Sequence, residues 1–203
     1  MTKPTPPAQA KRAFHPGLRA FFVVAALTGG LAPAARAADA DPWTPDGAFV
    51  QLGSAQGGDT RTAGVGLIWP WQTSWPLWGG RLGGSTEVGL AGWRSTDVPG
   101  RGDLDLAQAT LVPTLRWRAD EGRSAWFGEA GIGLSVASRI YESRDKRFST
   151  AFNFADHIGI GRSFGPQQQH ELVLRYEHVS NAGIKHPNPG ENFVQLRYAF
   201  YFH

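Results

Sequence analysis

The chain has 203 residues, with 26 glycines, 8 tryptophans, no cysteine and only 18% charged residues. This argues against a disordered chain, a disulfide scaffold and a coiled coil. A mean hydropathy of −0.29 excludes a bundle of membrane helices, since each would need about 20 apolar residues in a row.

The formal net charge of +3 is set by the N-terminus. Lys11, Arg12 and Arg19 precede the apolar run Ala20–Leu27, and small residues lead on to Ala35-Arg36-Ala37. A basic start, a short apolar stretch and an A-x-A site describe a secretory signal. The alternative is an N-terminal membrane anchor, against which stand the shortness of the run and its interruption by Gly29, Gly30 and Pro33. The reading is a signal peptide over 1–37 and a single domain over 38–203. The signal carries five bases (Lys3, Lys11, Arg12, Arg19 and Arg36) and no acid, so 15 of the 20 basic residues remain against 17 acidic ones. A mature charge of −2 removes the basic face that a nucleic-acid partner requires.

After Ala37 no helical period appears, whereas alternation with period 2 recurs, the mark of strands with two unlike faces. Eight strands are predicted, near 47–55, 61–71, 81–93, 104–117, 124–137, 149–163, 169–180 and 191–203. Turn-rich pieces such as Gln56-Gly57-Gly58-Asp59 and Asp97-Val98-Pro99-Gly100 separate them, and Trp75–Gly80 is a connector too aromatic for an ordinary aqueous loop. In the fourth segment Ala107, Ala109, Leu111, Pro113, Leu115 and Trp117 oppose Gln108, Thr110, Thr114 and Arg116. In the last, Val194, Leu196, Tyr198, Phe200 and Phe202 oppose Gln195 and Arg197.

A soluble, lipocalin-like barrel would turn the apolar face inward; a membrane barrel turns it outward. The outward case is favoured by three features. Arg116, Glu129, Arg175, Glu177 and Arg197 sit at mid-strand on the polar face, where they can pair inside a small barrel. Trp69, Trp71, Trp117, Trp126, Tyr198 and Phe202 lie near strand ends, as interfacial girdles require. The segments also run about 9–15 residues, and roughly 9–11 tilted residues cross a bilayer. The fold class is therefore all-β, an eight-stranded antiparallel outer-membrane β-barrel. Asp156 falls in phase with Phe152, Phe154, Ile158 and Ile160, for which a bulge or a misread strand boundary is the ordinary explanation. An even strand count puts both termini in the periplasm, so the segment 169–180 ends at the cell surface.

That segment carries the chemical signal. If Leu172 and Leu174 face lipid, so do His178 and Ser180, whose side chains then stand roughly 6.5–7 Å apart. Polar groups at that place are costly unless used. The run His178-Val179-Ser180-Asn181-Ala182-Gly183, followed by Pro187-Asn188-Pro189-Gly190-Glu191, resembles the lipid A 3-O-deacylases of the PagL family. The motif covers about 30 residues from Arg175 to Phe202. The resemblance implies an outer-membrane serine esterase that removes the 3-O-linked acyl chain of lipid A. Ser180 would be the nucleophile and His178 its base, with donors for the oxyanion near Asn181 to Gly183 and on Asn188.

In that family an acid begins the last strand on the lipid-facing parity, a phase that here falls on Asn192. Glu191, one residue earlier, is favoured as the third member if the loop end is irregular, and Asn192 is the alternative. The resemblance implies no cofactor and no metal, lipopolysaccharide as substrate, the outer membrane as location, no nucleic-acid partner, and leaves a homodimer open. Two rival functions stand beside it, a non-enzymatic adhesive or structural barrel and a lipid A acyltransferase. His178 and Ser180 as plain rim groups meeting lipid headgroups would fit the first rival.

Overall fold

The computed structural model describes residues 43–202. The expected signal peptide, with its cleavage site after Ala37, lies outside the described residues. The strands are β1 (Gly47–Ala55), β2 (Thr60–Pro70), β3 (Trp75–Leu77), β4 (Gly80–Val98), β5 (Gly102–Arg118), β6 (Trp126–Ala137), β7 (Phe152–Phe164), β8 (His170–Ser180) and β9 (Glu191–Tyr201). Each long strand pairs antiparallel with its neighbour in sequence, β2 pairs with β4, and β1 pairs with β9. The eight long strands thus close into a ring with no free edge, which removes the unpaired backbone groups that neither lipid nor water-poor surroundings tolerate. No helix among the described residues is long and apolar enough to cross a membrane; the crossing elements are strands.

The aromatic connector is the first departure from the sequence reading. Trp75–Leu77 forms the short strand β3, which turns back through Trp78 and Gly79 onto the start of β4. The β4–β5 hairpin is also longer than expected, with an irregular register between Ser95 and Val98.

Alternation decides which face is which. Leu52, Leu90, Ile132 and Ile158 are 61%, 63%, 69% and 64% exposed on the outer surface, an arrangement that only an apolar solvent stabilises. The inner surface holds a chain of ion pairs. Arg175 lies between Glu87 and Glu129, Arg197 reaches Glu87 at 2.7 Å, and Arg116 bridges Glu129 and Glu171. The outer third of the lumen differs from the polar interior expected. There Trp93, Tyr141, Phe148 and Phe193 form an apolar plug, with Tyr141 and Phe148 supplied by the 138–151 connection folding inward.

The six aromatics expected to form girdles all lie at one end of the barrel, the end that carries Gly47 and Tyr201. Asp156 needs no bulge. Pairing runs without a break from Phe152 to Arg162 against β6 and from Phe154 to Phe164 against β8, so its side chain stands on the membrane-facing flank.

Candidate active site

The site is built where β7, β8 and β9 run side by side. Register places Asp156, His178 and Asn192 in one row across the three strands, with Phe154 opposite Ser180. Leu172, Leu174 and Tyr176 are exposed on the outer face of β8, so strand alternation carries His178 and Ser180 to that same flank, as the parity predicts. The rim they occupy is the one opposite Gly47 and Tyr201.

Yet Ser180 is only 8% exposed, because the 181–190 loop folds back over the end of the strand. Asn181 ties the loop together. Its Nδ2 donates to Ser149 Oγ, Thr150 Oγ1 and the Lys185 carbonyl, and its Oδ1 accepts the Gly183 N–H at 2.9 Å. Its own backbone N–H donates to Asn188 Oδ1 at 3.0 Å. Two of the N–H groups expected to bind an oxyanion are therefore engaged within the loop. The backbone N–H of Ala182 lies 3.5 Å from Ser180 Oγ, and Asn188 takes part in the loop through its Oδ1. Asn181 and Gly183 shape the loop.

His178 is seated from two sides. Its Nδ1 lies 2.7 Å from Asn192 Oδ1. A carboxamide oxygen can only accept, so Nδ1 carries the proton and Nε2 is the basic nitrogen. On the other side the ring packs against Gly190, whose φ is +63°. A Cβ there would stand 2.6 Å from His178 Cε1 and 3.2 Å from Nε2. Sequence reading takes Gly190 as a turn glycine; its second job, leaving room for the imidazole, depends on a contact that spacing does not reveal. Gly190→Ala is expected to tilt the ring and to lower kcat about 100-fold, the scale of a 1 Å misplacement of a reacting group, while barrel folding is retained. Steady-state kinetics on the purified variant check this.

Glu191 is a correction. Strand pairing is regular from the first residue of β9, Val179 facing Glu191 and His178 facing Asn192. Glu191 therefore points into the barrel, 1% exposed. There its carboxylate accepts from Tyr141 Oη at 2.8 Å, from Lys146 Nζ at 2.9 Å and from the Asn192 N–H at 3.0 Å. Burial, together with the Glu191 charge, pushes the Tyr141 phenol well above its ordinary range, so it remains a donor. Glu191 fastens the plug to β9, and the residue in contact with His178 is Asn192. Glu191→Gln is expected to lower stability by about 1–2 kcal/mol through loss of the charged hydrogen bond to Lys146 and to leave kcat within about threefold of the parent. Thermal unfolding and turnover measured side by side check this.

Among the described residues Ser180 Oγ and His178 Nε2 share no hydrogen bond. Such pairs are commonly loose before substrate arrives and tighten in its complex. A cavity of about 370 Å³ opens at the far mouth among Arg81, Arg116, Arg118 and Glu171. The Ser180–His178 pair instead faces the barrel's outer surface, beside Phe152 and Phe154, which pack edge to face.

Comparison with known proteins gives one consistent picture. Residues 61–201 match the family described as lipid A 3-O-deacylase (PagL). The lipid A deacylase PagL of Bordetella bronchiseptica is 42% identical over 123 residues, which span 61% of this chain and 65% of that protein. The protein of the same name from Pseudomonas aeruginosa is 34% identical over 147 residues, 71% of this chain and 80% of the relative. A crystal structure described as the outer membrane enzyme PagL superposes with a TM-score of 0.63 at 26% identity, covering 76% of this chain and 98% of that one.

Proposed function

The chain belongs to the lipid A 3-O-deacylase (PagL) family, and from that premise we propose that it is an outer-membrane esterase that hydrolyses the 3-O-linked acyl chain of lipid A. We further propose residues 1–37 as the export signal that delivers residues 38–203 to that membrane. The observation that carries the reading is the pair Ser180 and His178 on the outer flank at the rim opposite Gly47 and Tyr201. With the termini in the periplasm, as small barrels of this class place them, that rim meets the outer leaflet, where lipid A resides.

A serine hydroxyl is a poor nucleophile until a base takes its proton. His178 Nε2, left basic by the Nδ1–Asn192 contact, is that base. As Ser180 Oγ forms its bond to the ester carbonyl carbon, its proton passes to Nε2 and the carbonyl oxygen becomes an oxyanion. Each donor directed at that oxyanion is worth roughly 3–4 kcal/mol of barrier, and the Ala182 N–H with the Asn188 Nδ2 supplies them. Collapse breaks the bond to the sugar oxygen, which takes the proton from His178 and leaves as an alcohol. Water, deprotonated by His178, then attacks the acyl-serine, releasing the fatty acid and restoring Ser180. A serine esterase of this kind uses no cofactor.

The substrate is lipid, and the apolar flank beside Ser180, with Phe152 and Phe154, lets its chains approach within the bilayer. An acyltransferase would differ only in replacing water with another acceptor. Mass spectrometry of lipid A from cells that express the parent chain or Ser180→Ala tests the reading. Loss of one 3-hydroxyacyl group with the parent alone supports hydrolysis. A mass gain on another molecule means transfer, and identical spectra leave a non-enzymatic barrel.

A further inference from the structure

The side chain of Asn192 has two unlike ends. With Oδ1 toward His178, Nδ1 keeps its proton and Nε2 is free to take the one from Ser180. With Nδ2 toward the ring, Nδ1 would have to accept, Nε2 would carry the proton, and the ring could not act as a base. The two orientations have the same shape, so packing does not choose between them; a hydrogen-bonding partner on the far side does. That partner comes from the turn between β1 and β2. The β1–β9 register ends with Ala55 opposite Phe193. The Gln56 backbone N–H carries the pairing one step further, donating to the Asn192 carbonyl at 3.0 Å. Gln56 is thereby fixed opposite Asn192, in phase with the outward-facing Val50 and Leu52. Its Oε1 accepts from Asn192 Nδ2 at 3.3 Å. Gln56, Asn192 and His178 thus form a hydrogen-bonded relay across the outer flank of β1, β9 and β8.

We propose that Gln56 is a positioning residue of this site: its side-chain oxygen takes the amino end of Asn192 and so keeps the oxygen of Asn192 on His178 Nδ1. This inference rests on the reading of Ser180 and His178 as the ester-cleaving pair. Gln56 acts through Asn192 and supplies nothing to the ester itself. The need for it follows from the residue at 192. A carboxylate there would present an acceptor whichever way it turned, whereas an amide has to be held one way round. The backbone half of the Gln56–Asn192 contact does not depend on the side chain, and Gln56 is exposed at a turn. Its side chain can therefore be changed without disturbing the end of the sheet.

The test is a double-mutant cycle on the full-length protein in detergent micelles with lipid A as substrate. The parent must release the acyl chain and Ser180→Ala must not; failure here sinks the esterase reading itself. Given that activity, Gln56→Met, which keeps the length of the side chain and removes its acceptor, is expected to lower kcat by about three- to tenfold, the worth of one ordinary hydrogen bond, with KM little changed. Gln56→Glu, which keeps an acceptor and has no donor end, should turn over at least as fast as the parent. In the Asn192→Asp background there is no amide to orient, so adding Gln56→Met should change kcat by less than about twofold. A second measurement needs no turnover. Nitrogen NMR of the imidazole, assigned by difference against His178→Gln, should show the proton on Nδ1 in the parent and a growing share on Nε2 in Gln56→Met. Three results overturn the proposal: a ring that stays protonated on Nδ1 alone in Gln56→Met, a loss of kcat that persists undiminished beside Asn192→Asp, or a Gln56→Met chain that does not fold, since that assigns the side chain structural work.

Discussion

Ser180→Ala is expected to leave lipid A fully acylated, with kcat lowered by about 10⁵- to 10⁶-fold, the scale seen when a serine hydrolase loses its nucleophile. The loss is a chemical one. Ser180 Oγ makes a single marginal contact, 3.5 Å from the Ala182 N–H, and deleting an oxygen with so little bonding should change stability by less than about 1 kcal/mol. The substituted barrel should therefore assemble, insert and bind substrate as the parent does. Release of 3-hydroxy fatty acid from purified lipid A checks the chemistry, and the unfolding temperature in detergent checks the barrel. A variant that is folded and still cleaves at more than a hundredth of the parental rate would move the nucleophile elsewhere.

The barrel was legible because its faces differ so strongly in chemistry. Arg175, Glu177 and Arg197 alternate with Leu174, Tyr176 and Leu196, and a period of two survives every error in strand boundary. The same parity brought His178 and Ser180 to the outer flank without any knowledge of distances. Parity also contained the neighbour of His178, since Asn192 is in phase with Val194 and Leu196. The preference for Glu191 set that phase aside by supposing an irregular loop end, because a carboxylate is the better partner for an imidazole. What overrode that preference is not local. Glu191 is drawn inward by Tyr141 and Lys146, about 45–50 positions earlier in the chain, and nothing in the alternation of 138–151 announces that this connection folds into the lumen. The apolar plug went unread for the same reason. Asp156 shows the converse case. A residue that looked like a fault in the pattern is in regular register, and its position beside His178 becomes visible only once three strands are aligned.

Asn192 is where this site invites a gain as well as a loss. Its Oδ1 accepts from His178 Nδ1 at 2.7 Å while its Nδ2 donates to Gln56 Oε1 at 3.3 Å, so the amide is held with its oxygen toward the ring. Asn192→Ala removes the acceptor that fixes both tautomer and orientation, and kcat should fall by about 10²- to 10³-fold; the loss from a wrong tautomer in a comparable triad is roughly 10⁴-fold. Asn192→Asp keeps the acceptor at the same length and adds a charge. A negative charge beside the ring favours the imidazolium that forms as Ser180 loses its proton, so kcat should rise by up to about tenfold. Full activity in Asn192→Ala would show that the Nδ1 contact orients nothing that matters to the reaction.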